Sequence, residues 1–270
     1  MLRLTVRILK RVFYSLAALW LVATIALYLY QDELIFRSAK LPSEYHFTFD
    51  QPYEEFFLPT RGTDSLNILL FKSTAPSKGL VVYFHGNADN LQRWGNYAVD
   101  FTRLGYDVLM PDFRGYGKST GTPSEVQLYA DALILWDWVK KTYPDTPIIM
   151  YGRSLGSAVA AKLASLRPAD QLILETPFDQ LRGAVPLPLQ WPMYLLPLEH
   201  RFPTYEVMHL VSCPITIIHG TNDWVVPLSS AEKLRPLLKE TDQFIVIPGG
   251  GHRNLRDFPA YHDALAKTLH

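Results

Sequence analysis

The sequence predicts an α/β fold in which a mostly parallel central sheet carries helices on both faces. Three observations predict it. Short runs that are apolar throughout alternate with helical stretches, the pattern of strands buried on both sides. One run, Ile148 to Tyr151, feeds directly into Gly152-Arg153-Ser154-Leu155-Gly156 and then into the small-residue helical pattern Ala158, Ala160, Ala161, Ala164. Finally, several runs carry their chemically useful residues just past their ends, where ligands bind in parallel sheets.

The chain opens with Arg3, Arg7, Lys10 and Arg11, followed by nineteen uncharged residues from Val12 to Tyr30 and then Asp32 and Glu33. Nineteen helical residues span about 28 Å, close to the hydrocarbon thickness of a bilayer. Phe13 and Tyr14 at one end, and Tyr28 and Tyr30 at the other, sit like interfacial anchors. This reads as a transmembrane helix. A cleaved signal peptide would need a shorter apolar core and a small-x-small exit, whereas the exit is Ala-Leu-Tyr-Leu-Tyr-Gln-Asp. A surface helix would need a polar face, and none is visible between Val12 and Tyr30. The preceding basic residues place the N-terminus in the cytoplasm and the rest of the chain across the membrane, in the periplasm if the source is bacterial. The expected organisation is an anchor over 1–31, a polar connector over 32–52 and a catalytic domain over 53–270.

Within that domain, Tyr53 to Leu58 and Leu66 to Phe71 flank a Gly-containing turn and read as a hairpin. Leu80 to Phe84 is a strand, followed by one helix over Leu91 to Leu104. Tyr106 to Met110 is a strand and Ser124 to Tyr143 a helix. Ile148 to Tyr151, Leu172 to Leu174, Ile215 to Ile218 and Phe244 to Ile247 complete the sheet.

The 270 residues are 48% hydrophobic, enough for one sizeable core. Net charge is zero, which gives no footprint for nucleic acid. The single cysteine, Cys213, excludes an internal disulfide and reads as a small core residue. No Cys/His cluster has metal-ligand spacing and no glycine fingerprint suggests a nucleotide, so neither metal nor cofactor is expected.

The chemistry centres on Ser154. A turn tight enough to need glycine on both sides exposes the hydroxyl at a helix N-terminus, where free backbone N–H groups face developing negative charge. Gly117-Lys118-Ser119-Thr120-Gly121 repeats the five-residue pattern, but it lies in turn chemistry interrupted by Pro123, so Ser119 is set aside. A serine hydroxyl needs an imidazole to take its proton and a carboxylate to orient that imidazole. His252 follows the last strand on a glycine-rich loop, and Asp223 follows the strand before it. Glu175 and Asp179, after the strand next to Ser154, are alternative positions for the acid. His85 and His219 read as structural.

These elements carry a resemblance. His85-Gly86-Asn87-Ala88, Asp112-Phe113-Arg114-Gly115-Tyr116-Gly117-Lys118-Ser119, Gly152-Arg153-Ser154-Leu155-Gly156, Asp223 and His252 together resemble the α/β-hydrolases of the Bem46-like group, which includes hydrolase-domain proteins of the 13 and 17 type. The resemblance covers roughly Tyr53 to His270. It implies Ser154 as nucleophile, His252 as general base and acid, Asp223 as its partner, and an oxyanion hole from the backbone N–H groups of Asn87 and Leu155. It also implies a lid at about 179–213. Gly183 to Leu198 holds four prolines and no charge, and Leu187, Leu189, Trp191, Met193 and Tyr194 are the expected acyl-facing residues.

The functional expectation is a membrane-anchored serine hydrolase that cleaves small-molecule or lipid-borne acyl esters or thioesters. A serine aminopeptidase on the same triad is the alternative within enzymes, and it would need an acidic patch for the substrate amine, with Glu175, Asp179 or Glu199 available. An idle hydrolase fold acting as a tethered binding module is the alternative outside them.

Overall fold

A computed structural model describes residues 2–184 and 198–269. Leu187, Leu189, Trp191, Met193 and Tyr194, expected to face an acyl chain, lie outside the described residues.

Helix α1 runs from Leu2 to Leu29 and contains one stretch, Thr5–Leu29, long and apolar enough to cross a membrane. A turn at Tyr30 leads into a short helix α2, Gln31–Ile35. The sheet follows: β1 (Tyr53–Pro59), β2 (Ser65–Phe71), β3 (Leu80–Phe84), β4 (Asp107–Pro111), β5 (Ile148–Arg153), β6 (Gln171–Glu175), β7 (Ile215–Gly220) and β8 (Gln243–Ile247). Their order is β1-β2-β4-β3-β5-β6-β7-β8. The hairpin β1–β2 pairs antiparallel and docks antiparallel on β4, and every later pairing is parallel.

Side-chain alternation explains the layers. Leu80, Val82 and Phe84 of β3 point to one face, where they pack with helices α5 (Glu125–Thr142) and α6 (Leu155–Ala164) through Leu128, Leu135 and Val159. Val81 and Tyr83 point to the other, against Trp94, Phe101, Tyr261 and Leu265. Strands buried on both faces lose the polar alternation of an exposed sheet, which is why they read as continuous apolar runs. Helix α5 begins where Ser124 caps it, its Oγ accepting the Gln127 N–H at 3.3 Å.

One expected element is different. The helix over 91–104 is broken into α3 (Leu91–Trp94), a 3₁₀ turn at Gly95–Tyr97 and α4 (Val99–Thr102). A Cβ on Gly95 would lie 2.6 Å from Cε1 of Phe49, whose ring fills the space. A long-range aromatic wedge, on a residue of low helix propensity, outweighs the local apolar pattern. The same wedge shows that the segment before the sheet is not loose: Phe36 and Phe47 are buried, and Ser38 and Lys40 form isolated parallel bridges with Asp89 and Gly117.

Parallel register aligns the strand ends. Phe84 pairs with Gly152, Arg153 with Glu175, and Gly220 with Ile247. The residues that follow, from His85, Ser154, Thr176, Thr221 and Pro248 onward, therefore emerge along one edge of the sheet.

Candidate active site

Ser154 joins β5 to α6 with φ +51° and ψ −115°, a conformation that L-residues rarely adopt. The glycines around it are steric necessities. A Cβ at Gly152 would lie 2.6 Å from Cα of Ser157, and one at Gly156 would lie 2.5 Å from the Phe84 carbonyl carbon and 2.6 Å from the His85 oxygen. Backbone bonds hold the turn: Ser154 N–H donates to the Glu175 carbonyl at 2.9 Å, and its own carbonyl accepts from Ser157 N–H at 2.9 Å and Ser157 Oγ at 2.5 Å.

His252 and Asp223 meet across the sheet edge, with Nδ1 and Oδ2 2.8 Å apart. The other carboxylate oxygen, Oδ1, accepts the N–H groups of Val225 at 2.9 Å and Val226 at 2.8 Å. Asp223 is thus fixed by its own loop, and with Nδ1 protonated toward it, His252 Nε2 is left as the acceptor. His219 is buried behind this pair, with Nδ1 3.0 Å from the Gly220 carbonyl and Nε2 3.9 Å from Asp223. Burial pushes its pKa below the ordinary histidine value.

Neither alternative acid approaches His252. Glu175 is fully buried between Arg153, at 3.3 Å from Nε, and the Tyr151 hydroxyl. Asp179 accepts from Ser230 Oγ at 2.6 Å and Lys233 Nζ at 3.1 Å. The role of Arg153 was not legible in the sequence, although the residue sits inside the five-residue motif. Its guanidinium lies over the rings of Trp94 and Tyr97, and its Nη2 donates to the His252 carbonyl at 2.7 Å. The residue before the serine thus positions the loop that carries the histidine.

Leu155 is the first residue of α6 and Asn87 follows β3. Among the described residues neither N–H donates to a backbone carbonyl outside helices and strands, and the first N–H groups of a helix have no intrahelical acceptor. The Asn87 side chain is occupied: its Oδ1 accepts from Tyr116 Oη at 2.8 Å and from Arg37 N–H at 3.2 Å. His85 braces this loop, with Nδ1 2.7 Å from the Gly86 carbonyl and Nε2 3.1 Å from Asp112, between the rings of Trp94 and Phe113. Arg114 ties its loop to Asp131 and Asp64.

Ser154, His252, Asn87 and Leu155 all line one cavity of about 500 Å³. Its other walls are largely apolar, including Phe178, Leu181, Ala184, Leu198 and Val226. Among the described residues no Asp or Glu lines it, whereas Arg37, Arg93, Arg153 and Arg253 do. Ligand atoms of Asp32, Glu199 and His200 lie within 4.8 Å of one another, but both His200 nitrogens are engaged, Nε2 with Asp32 at 2.8 Å and Nδ1 with the Glu125 N–H at 3.3 Å. The Cys213 thiol is buried, with its pKa pushed up to about 11, and is chemically quiet.

Comparison with known proteins agrees with this architecture. Residues 75–207 match the sequence model of the family described as "Serine aminopeptidase, S33". An uncharacterised protein of Mycobacterium tuberculosis is 37% identical over 207 residues, covering 74% of this chain and 73% of its own length. The lysophosphatidylserine lipase ABHD12 of Danio rerio is 34% identical over 192 residues, covering 63% of this chain, and the match spans half of that protein. Among solved structures, an esterase of Pyrococcus furiosus superposes with a TM-score of 0.68 at 19% identity, covering 87% of this chain and 98% of its own. A monoacylglycerol lipase of Paleococcus ferrophilus does so with a TM-score of 0.58 at 18% identity, covering 76% and 98%. With a serine at the strained turn, a sheet of this order and relatives of this identity, the chain belongs to the ABHD-like serine hydrolases of the α/β-hydrolase superfamily.

Proposed function

We propose that this protein is a membrane-anchored serine hydrolase that cleaves the ester bond of single-chain acyl lipids, with Ser154, His252 and Asp223 as its catalytic triad. The observation that carries the proposal is the cavity. One apolar space is lined by a strained serine and by a histidine paired at 2.8 Å with a buried carboxylate. Its volume suits one ligand of drug-like size, and therefore one acyl chain rather than two.

In the proposed reaction His252 Nε2 takes the proton of Ser154 Oγ as the oxygen attacks the ester carbonyl. The tetrahedral oxyanion accepts from the N–H groups of Leu155 and Asn87, each worth about 3 kcal/mol of barrier. Collapse breaks the bond to the alcohol, which leaves with the proton from His252. Water then attacks the acyl-enzyme by the reverse route, releasing the fatty acid and regenerating Ser154. Asp223 holds the imidazole in the required tautomer and stabilises the imidazolium throughout. Thioesters fit the same chemistry.

The acid-free, arginine-lined mouth favours an anionic substrate over an amine. Among the described residues, the guanidinium groups of Arg37 and Arg253 pair with no carboxylate. A lysophospholipid with a negatively charged headgroup fits this arrangement, in keeping with the lysophosphatidylserine lipases among the relatives. The aminopeptidase alternative is disfavoured because, of its three candidate carboxylates, Glu175 and Asp179 are already paired and Glu199 is not among the described residues that line the cavity. The anchor of the proposal is α1, with the hydrolase domain on the side opposite the basic N-terminus.

The test is turnover by the full chain in detergent micelles, with lysophosphatidylserine, monoacylglycerol and an aminoacyl anilide offered in turn. Lipid esters should be hydrolysed and the anilide left intact, and Ser154→Ala should lower turnover by a factor on the order of 10⁴ or more. Undiminished ester hydrolysis in Ser154→Ala, or a preference for the anilide, would overturn the proposal.

A further inference from the structure

The anchor helix is not uniformly exposed. Thr24 is only 3% exposed, and Trp20, Leu27 and Tyr28, at 40%, 42% and 42%, are less exposed than Val22 and Leu29 at 63% and 67%; Gln31, at the start of α2, is 6% exposed. The less exposed positions of α1 fall at i, i+4, i+7 and i+8, one face of a helix, and Gln31 opens α2 beyond the turn at Tyr30. That face borders the catalytic cavity: Thr24, Leu27 and Tyr28 from α1, with Gln31, Leu34 and Ile35 from α2, line the same space as Ser154 and His252.

Polar side chains of the wall are tied to the chain itself. Thr24 Oγ1 donates to the Trp20 carbonyl at 2.8 Å, and Gln31 Nε2 donates to the Tyr28 carbonyl at 3.0 Å. Gln31 Oε1 accepts the Glu199 N–H at 3.0 Å, and Asp32 pairs with His200 at 2.8 Å. Phe36 adds edge contacts to the rings of His200 and Phe202. Together these contacts hold the α2 region against residues 199–202. What remains for a ligand is the hydrocarbon of Leu27, Leu34 and Ile35.

Position along the helix matters as much as facing. Thr24 lies about 8 Å inside the end of the apolar stretch at Leu29, at 1.5 Å of rise per residue. A cavity that reaches Thr24 therefore extends to the depth where acyl chains begin.

Building on the serine-hydrolase reading above, we infer that the last turns of α1 together with α2 form one wall of the acyl-chain subsite. The ligand is a single acyl chain of a membrane-resident lipid, entering sideways between the anchor and the catalytic domain. The anchor is then a specificity element as well as a tether, and chain-length preference is encoded partly in residues 24–35.

The experiment uses the full chain in phospholipid nanodiscs and reads the ratio of p-nitrophenyl palmitate to p-nitrophenyl butyrate turnover. Leu27→Trp, which fills the wall, should lower the ratio by about tenfold, the scale on which pockets discriminate small changes in apolar fit. Tyr28→Ala, which opens it, should move the ratio the other way. Val22→Trp, on the outward face, should leave it within about twofold of the wild type. If Leu27→Trp and Tyr28→Ala both behave like Val22→Trp, the inference is overturned. Ser154→Ala, assayed alongside, tests the catalytic reading separately, because the ratio in the wall variants does not depend on which group attacks the ester.

Discussion

Arg153→Met should be strongly damaging although it leaves Ser154, His252 and Asp223 in place. Arg153 and Glu175 are each about 2% exposed or less, with Nε and Oε1 3.3 Å apart. At that separation, with an effective dielectric of about 20, the pair attracts by about 5 kcal/mol. Methionine keeps most of the volume and removes the charge, leaving Glu175 buried with only the Tyr151 hydroxyl as a partner. Breaking one side of such a pair costs about 3–5 kcal/mol. Neutralising the other side as well, in Arg153→Met with Glu175→Gln, removes the stranded charge and should recover about 1–3 kcal/mol of coupling. Urea unfolding of the full chain in mild detergent, followed by tryptophan fluorescence, reads these differences. Because Arg153 also donates to the His252 carbonyl, the single variant should lose activity on short esters by about tenfold or more, through misplacement of the imidazole. A single variant within about 1 kcal/mol of wild type, or a double variant equal to the sum of its parts, would refute the reasoning.

Two further substitutions probe the scaffold. Gly156→Ala places a methyl group against the Phe84 and His85 backbone, which cannot rotate away, so β3 and α6 must separate at a cost of about 1–3 kcal/mol, read by thermal unfolding; an unchanged melting temperature would contradict the packing. His219 is buried and its pKa is lowered, so below its ordinary value of about 6.5 the unfolded chain takes up a proton that the folded one refuses. Its contribution is present above about pH 6.5 and is lost as the pH falls, by at most about 1.4 kcal/mol per pH unit. Unfolding free energies from pH 7 down to 5 should fall more steeply in the wild type than in His219→Asn, and parallel curves would exclude the effect.

How much of this was legible depended on the range of the interaction. The strands, the hairpin and the turn at Ser154 follow from periodicity and from glycine sterics, both local. The meeting of Asp223 with His252, 29 residues apart, was also legible, because parallel strands deliver their following loops to one edge. The break at Gly95 was not, since Phe49, whose ring occupies the space beside Gly95, lies in the connector 46 residues away. The Arg153–Glu175 pair was invisible for the same reason: two charges on neighbouring strands have no sequence spacing that announces them. The inward face of α1 was hidden differently. Between Val12 and Tyr30 nearly every residue is apolar, so the pattern does not mark the side that meets the rest of the chain.

The two copies of Gly-x-Ser-x-Gly separate what a motif specifies from what a site requires. Ser119 is buried, its Oγ donating to the Asp112 carbonyl at 2.8 Å and accepting the Asn67 N–H at 2.8 Å. Its flanking glycines, Gly117 and Gly121, take positive φ themselves, so the turn is relaxed and the serine is spent as a brace. At Ser154 the positive φ falls on the serine, a conformation that costs on the order of 1–3 kcal/mol, and backbone bonds to Glu175 and Ser157 hold it there. Those bonds use the main chain only. The hydroxyl stays free to face the cavity at the start of α6, where neighbouring N–H groups await charge. The proposal of Ser154 as nucleophile thus rests less on the five letters than on where the strain is carried and which oxygen the fold leaves unspent.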